Sequence, residues 1–158
     1  MGLLEWLETS GLATWVSESP SLWAYPFVLT LHTVGMSMLV GANAVVDVRL
    51  LGLAPDLPLA PLKKLFPVMW IGFWINLVSG IALFMAHASE KAAQPVFYVK
   101  LGCVVVGMST IVLMRNRLFR APAQLDAGPL QTSGRVLAGV SLLMWAGAIT
   151  AGRLMAYL

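Results

Sequence analysis

Four long stretches of this chain carry almost no charge, and no other feature of the sequence constrains its fold as strongly. Two of them contain no Asp, Glu, Lys or Arg, and the other two contain one basic residue each, Lys100 and Arg153. Each reaches the roughly 20 residues that an apolar helix needs to cross a bilayer. The sequence therefore predicts an integral membrane protein in contact with a lipid bilayer. The stretches are Ser19–Val46, Leu65–Ser89, Ala92–Met114 and Val136–Leu158.

Composition favours the same class of protein. Hydrophobic residues make up 59% of the chain and charged residues 11%, whereas soluble domains contain about 25% charged residues. Four spans occupy most of the 158 residues, which leaves no room for a soluble catalytic domain. We predict an all-α fold, a four-helix bundle, in which residues 1–158 form one transmembrane domain. The spans are predicted at about 21–53, 64–90, 96–119 and 135–157.

The segment before the first span has the pattern of a short amphipathic helix over about residues 3–16. Leu3, Leu7 and Val16 fall largely on one helical face, and Glu5 and Glu8 fall on the other. The segment contains no basic residue, so burial of its apolar face would hold it at the membrane interface. Packing against the end of the bundle is the alternative, and the helix is expected to break near residue 11.

The distribution of basic residues predicts an orientation. Seven of the ten Lys and Arg fall on the connections that follow the first and third spans, and three fall on the other side. The positive-inside rule then places both termini outside. Because orientation explains these charges, we expect no nucleic-acid partner. The seven are Arg49, Lys63, Lys64, Arg115, Arg117, Arg120 and Arg135, and the three are Lys91, Lys100 and Arg153.

The chain contains two histidines, His32 and His87, and both fall within apolar stretches. An ionisable side chain in such a setting marks a candidate functional site. At 3.6 residues per turn, His32 shares a helical face with Gly35, and His87 shares one with Gly80. Glycine has no side chain to block the close approach of a flat macrocycle or of a neighbouring helix.

These residues suggest that the two imidazoles ligate the iron of a b-type haem between the first two spans. Lys100, about one turn into the third span, would pair with a haem propionate or extend towards the interface. The protein would then transfer electrons, with a quinone or a periplasmic redox protein as partner. One objection is depth, since His32 and His87 are offset by roughly 10 Å along their spans. Helix tilt, a shifted register or a methionine ligand would remove it.

Two alternatives need no haem. His32 can hydrogen-bond across helices, and rows of small residues such as Thr33, Ser37 and Gly41 fit helix packing. The protein would then be a non-enzymatic structural or assembly subunit of a membrane complex, or a homo-oligomer. Copper binding or transport is the other alternative, because Met36 and Met85 lie near the two histidines and thioether with imidazole suits Cu(I). Whether the protein is an enzyme stays open, and no hydrolytic motif is present.

Three further polar residues lie within or at the end of the apolar stretches. Asn43 and Asn76 are placed to hydrogen-bond to each other across the first two spans. Asp47 lies near the end of the first span, two residues before Arg49. Residues two apart do not face each other on a helix. We therefore expect Asp47 and Arg49 to meet lipid headgroups or the bases of neighbouring elements.

Several motifs resemble a family of small bacterial four-helix inner-membrane proteins that is catalogued as a domain of unknown function. The most specific are His-x-x-Gly at residues 32–35 and Asp-x-Arg-Leu-Leu-Gly at residues 47–52, and Phe97–Lys100 is similar to the family's entry into the third span. The resemblance covers most of the chain. It implies a four-helix protein of the bacterial inner (cytoplasmic) membrane and no settled activity. More distantly, the chain is similar to cytochrome-b-type four-helix bundles, in which histidines hold haem.

Overall fold

A computed structural model describes residues 2–119 and 129–157, and all regular secondary structure within these two ranges is helical. The all-α prediction is thereby confirmed. Arg120 and most of the predicted connection between the third and fourth spans lie outside the described residues. The α-helices are α1 (Leu3–Glu8), α2 (Gly11–Glu18), α3 (Tyr25–Leu50), α4 (Leu59–Leu62), α5 (Leu65–Ala86), α6 (Ala88–Ala93), α7 (Pro95–Leu113) and α8 (Pro129–Leu154), and a π-helix over Met114–Leu118 extends α7.

Four of these helices are long and apolar enough to cross a membrane, which makes the chain a helical membrane protein. They are α3, α5, α7 and α8, with α4 leading directly into α5. Prolines occupy the first turn of α3 and of α7, where the missing N–H costs nothing. The second span ends at Ala86, earlier than the predicted residue 90, because the backbone of His87 leaves the helical conformation. The last helix begins earlier than predicted, at Pro129.

The end of α3 is fixed by a glycine. Gly52 adopts a φ of +83°, which L side chains rarely take. Its N–H donates to the carbonyl of Arg49, and the N–H of Leu53 donates to the carbonyl of Val48, both at 3.1 Å. These two bonds form a Schellman motif, which stops the helix and satisfies its last carbonyls.

The long helices pack as two pairs, α3 with α5 and α7 with α8, and α3 and α8 join the pairs. The main apolar core lies in the half of the bundle where α3 and α7 end, around Leu39, Met69, Ile111 and Trp145. We call that end of the bundle, which carries Lys63, Lys64, Arg115 and Arg117, the basic end. The opposite end, which carries α1, α2 and α6, is the terminal end.

Aromatic side chains bridge α5 and α7, whose backbones lie farther apart than those of the paired helices. At the terminal end, Phe84 stacks on Phe97 with ring centroids 5.1 Å apart. Near the basic end, Phe66 meets Phe119 edge to face at 5.2 Å. We call the line along which α5 faces α7, marked by these two ring contacts, the α5/α7 seam.

The predicted N-terminal amphipathic helix consists of two helices, and the break falls at residues 9 and 10, just before Gly11. The Ser10 hydroxyl accepts a hydrogen bond from the N–H of Ala13, so Ser10 caps a new helix instead of continuing the old one. Helix α2 packs on α5, and its Ala13 and Val16 are fully buried. Leu3 and Trp6 of α1 are exposed. The segment therefore docks on the bundle and still presents apolar surface.

Candidate functional site

A cavity of about 220 Å³ lies at the terminal end, between the ends of the four long helices and α6. We call it the terminal cavity. It contains four of the residues that the sequence singled out, His32, Gly80, His87 and Lys100. No acidic side chain is among the lining residues. The cavity is lined by Tyr25, Leu29, His32, Gly80, Leu83, Phe84, His87, Lys91, Phe97, Lys100, Gly152, Met155 and Ala156.

His32 is held in one orientation by the neighbouring helix. Its Nδ1 lies 3.0 Å from the backbone oxygen of Asn76 and 3.2 Å from the hydroxyl of Ser79. A carbonyl oxygen only accepts hydrogen bonds, so Nδ1 carries the proton and donates it. In the neutral ring, Nε2 then keeps its lone pair. A second bond runs the other way, because the Asn76 side-chain amide donates to the His32 carbonyl at 2.8 Å.

The two glycines predicted to lie beside a cofactor have different surroundings. A Cβ on Gly80 would lie 3.0 Å from Cε1 of His32, so this glycine makes room for the imidazole at the cavity. Gly35 does not line the cavity. It packs against α5, where a Cβ would lie 2.7 Å from the backbone nitrogen of Asn76 and 2.9 Å from the oxygen of Gly72. Gly35 therefore permits the close crossing of α3 and α5.

His87 does not sit on a regular helical face. It lies at the junction of α5 and α6, with φ −146° and ψ 46°, and its ring meets Tyr25 edge to face at 6.5 Å between centroids. This junction aims the imidazole towards the terminal cavity that His32 also lines. The predicted difference in depth between His32 and His87 assumed that the second span continues as a helix through residue 90. The helix ends at Ala86, and both histidines line the same cavity.

Two lysines add positive charge to the cavity. The side chain of Lys100 runs beside Gly152, where a Cβ would lie 3.6 Å from Cε. Within the two described ranges, no carboxylate pairs with Lys100. Lys91 donates to Glu90 at 2.6 Å and to the carbonyl of Met155 at 3.1 Å. The hydrogen bond and the charge of Lys91 lower the pKa of Glu90, which is exposed.

The methionines considered for copper lie outside the cavity lining. Met36 and Met85 are both half-buried, and neither is among the lining residues. The described part of the chain also contains no group of three or more His, Cys, Asp or Glu side chains that could hold a metal ion. A metal held within a macrocycle does not require such a group, because it needs only axial ligands from the protein.

A second polar cluster lies deep in the basic half. Asn43 donates to Asp47 Oδ2 at 2.6 Å and to the hydroxyl of Ser141 at 2.7 Å, and all three side chains are buried. Asp47 therefore does not meet headgroups, and Asn43 does not bond to Asn76 as expected. The four-residue spacing of Asn43 and Asp47 could have indicated their contact. Nothing in the sequence links them to Ser141, 94 positions beyond Asp47.

Comparisons of the chain with protein-family models, with curated proteins and with solved structures find no match. The predicted membership of a family of small four-helix proteins, and the distant likeness to cytochrome-b-type bundles, stay predictions. The function is therefore inferred from the geometry of the terminal cavity.

Proposed function

We propose that the terminal cavity binds one b-type haem and that the protein transfers single electrons through it. The observation that carries the proposal is the convergence of His32, His87, Lys91 and Lys100 on a cavity without an acidic lining residue. We further propose that the protein lies in the bacterial inner membrane with both termini outside. A quinone in the bilayer or a redox protein on the side of the termini would then exchange electrons with the haem.

The donor set suits an axial ligand. A histidine that ligates a metal through one ring nitrogen usually donates the other N–H to a carbonyl or carboxylate, which fixes the ring. His32 has this arrangement, because Nδ1 is engaged by the Asn76 carbonyl while Nε2 keeps its lone pair. His87 is the second candidate ligand. Lys100 would supply an ammonium group for one propionate, and Lys91 would bond to the other by exchanging its contact with Glu90, since carboxylates form strong hydrogen bonds with cations.

The cavity is small for a haem. Pockets that enclose whole small molecules measure roughly 300–1,000 Å³, and the terminal cavity measures about 220 Å³. A macrocycle therefore requires the cavity to widen, and we propose that it widens at the stacked pair Phe84 and Phe97, which lines it. Because both rings line the cavity and bridge the α5/α7 seam, they would then flank the ligand with apolar surface.

Bound haem would supply a one-electron couple, and the protein would tune it through the ligands and the burial of the iron. The chain's own residues would position the ligand. His32 is oriented by Asn76 and Ser79, Gly80 leaves space beside the imidazole, and two aromatic rings add apolar lining. The lysines offset the negative charge of the propionates in a region of low dielectric constant.

The direct test is the absorption spectrum of the full-length protein purified from haem-replete cells. We expect a Soret band and an α band on reduction, with about one haem per chain. His32→Ala should abolish the spectrum or shift it strongly, because it removes the oriented ligand. Lys100→Gln should keep the bands but weaken haem retention roughly tenfold, the effect of losing a charge-assisted bond worth about 1.5 kcal/mol.

The matched control is Met36→Leu, which changes a residue on the same helix outside the cavity lining. Its spectrum should equal that of the unchanged protein, and metal analysis should show iron without copper. A colourless, folded preparation that also fails to bind added haemin would overturn the proposal. Bands that persist unchanged in both His32→Ala and His87→Ala would do the same.

A second candidate function is a non-enzymatic subunit of a membrane complex. The observation in its favour is the row Thr33, Ser37 and Gly41, which is exposed on α3, with nothing within 4 Å of a Cβ on Gly41. Small residues at this spacing allow close packing of helices in membranes. If the protein is such a subunit, we expect it to be colourless and either to form a defined oligomer or to co-purify with a membrane partner. Gly41→Leu should then dissociate the assembly, and a cofactor-free monomer would contradict it.

A further inference from the structure

A second cavity, of about 510 Å³, lies at the basic end of the α5/α7 seam. It is separate from the terminal cavity and shares no lining residue with it. We call it the basic-end cavity. Its lining combines two cationic side chains with three apolar ones: Lys63, Phe66, Pro67, Arg115 and Phe119.

The apolar part of this cavity consists of side chains that are packed into the core. Phe66 and Phe119 are buried, belong to the main core and meet edge to face. The aromatic contact therefore closes the floor of the cavity and joins the start of α5 to the end of α7. Such a floor is a fixed surface, against which a ligand can place an apolar part.

The charged part is positioned by an irregular turn. After Leu113, α7 continues as a π-helix over Met114–Leu118, closed by the N–H of Phe119 donating to the carbonyl of Met114 at 3.1 Å. A π turn holds an extra residue, and such turns recur at functional sites. It contains Arg115, which lines the cavity together with Lys63. Within the described residues, neither cation forms an ion pair.

The surroundings favour a lipid as the source of the anion. The cavity lies where the basic residues gather, at the level expected for lipid headgroups. About one turn along the two helices from the lining residues Pro67 and Arg115, the apolar side chains Ile71 and Val112 are exposed. Basic pockets between transmembrane helices bind anionic headgroups. A phosphodiester could pair with the cations while its glycerol and acyl chains follow the apolar surface, which a free phosphate ion would leave unused.

We infer that the basic-end cavity binds the phosphate headgroup of an anionic phospholipid. The inference is independent of haem binding, because it concerns other residues at the opposite end of the bundle.

The test uses the full-length protein reconstituted into bilayers of phosphatidylcholine with spin-labelled phosphatidylglycerol or spin-labelled phosphatidylcholine. We expect the protein to immobilise the anionic lipid in preference to the zwitterionic one. The double variant Lys63→Gln with Arg115→Gln should remove most of that preference, because each cation that bonds directly to the phosphate contributes roughly tenfold. The charge-retaining double variant Lys63→Arg with Arg115→Lys should keep most of it and shows that substitution alone does not unfold the site.

The matched control is Lys64→Gln with Arg117→Gln, which removes two cations from the same end without touching the cavity lining. It should lose much less selectivity. Equal loss in the two charge-removing variants would overturn the inference, since a diffuse basic surface would then explain the selectivity. Displacement of the lipid by millimolar inorganic phosphate at constant ionic strength would also overturn it, because the site would then be one for the free ion.

Discussion

At the scale of single residues, the same residue type has different functions at different positions. Gly80 leaves space for the His32 imidazole, and Gly35 lets the backbone of α3 approach that of α5. On the same helix, a Cβ on Gly41 would meet nothing within 4 Å. The sequence places all three glycines on helices, but only the packing distinguishes them.

Gly35→Ala should destabilise the protein. The added Cβ would lie within 3 Å of backbone atoms of Asn76 and Gly72, which cannot move aside as a flexible side chain would. Overpacking of this kind costs about 1–3 kcal/mol, more than the gain of about 1 kcal/mol from replacing helical glycine by alanine. We expect a lower midpoint of thermal unfolding in detergent. Gly41→Ala is the control and should match or exceed the stability of the unchanged protein. Equal midpoints for the two variants would contradict this account of the crossing.

Single site residues could be predicted from the sequence, but their contacts could not. The apolar surroundings of His32 identified it as a candidate, and Lys100 was singled out for its position in an otherwise uncharged span. The bond from His32 to the Asn76 carbonyl depends on the register of α3 against α5, which periodicity does not define. Lys91 was not singled out as a site residue, because in the sequence it is only one of the basic residues that predict the orientation.

At the scale of elements, the N-terminal helices are attached to the bundle by a specific polar contact. The Glu8 carboxylate accepts hydrogen bonds from the Ser89 N–H at 2.8 Å and the Ser89 hydroxyl at 3.1 Å. It thus caps the N-terminus of α6, where a negative charge is favourable. Because α6 follows His87 directly, this contact fixes α1 beside the junction that positions one candidate ligand.

Glu8→Ala should loosen α1 from α6. Both acceptors for Ser89 are lost, and amide hydrogen exchange in α1 should accelerate roughly fivefold, which corresponds to about 1 kcal/mol of hydrogen bonding. The measurement is hydrogen exchange read by mass spectrometry on the protein in detergent. Glu18→Ala removes an exposed carboxylate from the end of α2 and serves as control. If both variants exchange alike, the contact with Ser89 does not hold α1 in place.

At the scale of the whole molecule, the bundle is asymmetric from end to end. The basic end carries the main apolar core, the buried cluster of Asn43, Asp47 and Ser141, and a cavity with two cations. The terminal end carries the docked helices α1 and α2 and the cavity with both histidines. The proposed haem and the proposed lipid would therefore occupy opposite faces of the membrane.

The proposed orientation has a direct test. With both termini outside, a C-terminal fusion to alkaline phosphatase should be active and a C-terminal fusion to green fluorescent protein should be dark, because the first folds only outside the cell membrane and the second only inside. Fusions placed after Pro58, in the connection between α3 and α4, provide the control and should give the opposite pattern. Fluorescence from the C-terminal fusion would reverse the orientation and place the terminal cavity on the inner side.

The number of membrane-crossing helices and the all-α class follow from the sequence alone, because the length of an apolar stretch is a local property and the bilayer thickness sets the length that can span it. The sequence also singled out His32 and His87 as ionisable groups in apolar surroundings. That both histidines line one cavity with Lys91 and Lys100, and that Asp47 is buried with Ser141, follows from how the helices pack and not from the sequence. The register and pairing of helices depend on close approaches between residues far apart in the chain, such as Gly35 and Gly72. Apolar spans of similar composition do not specify which residues approach each other, so these contacts cannot be predicted from the spans alone.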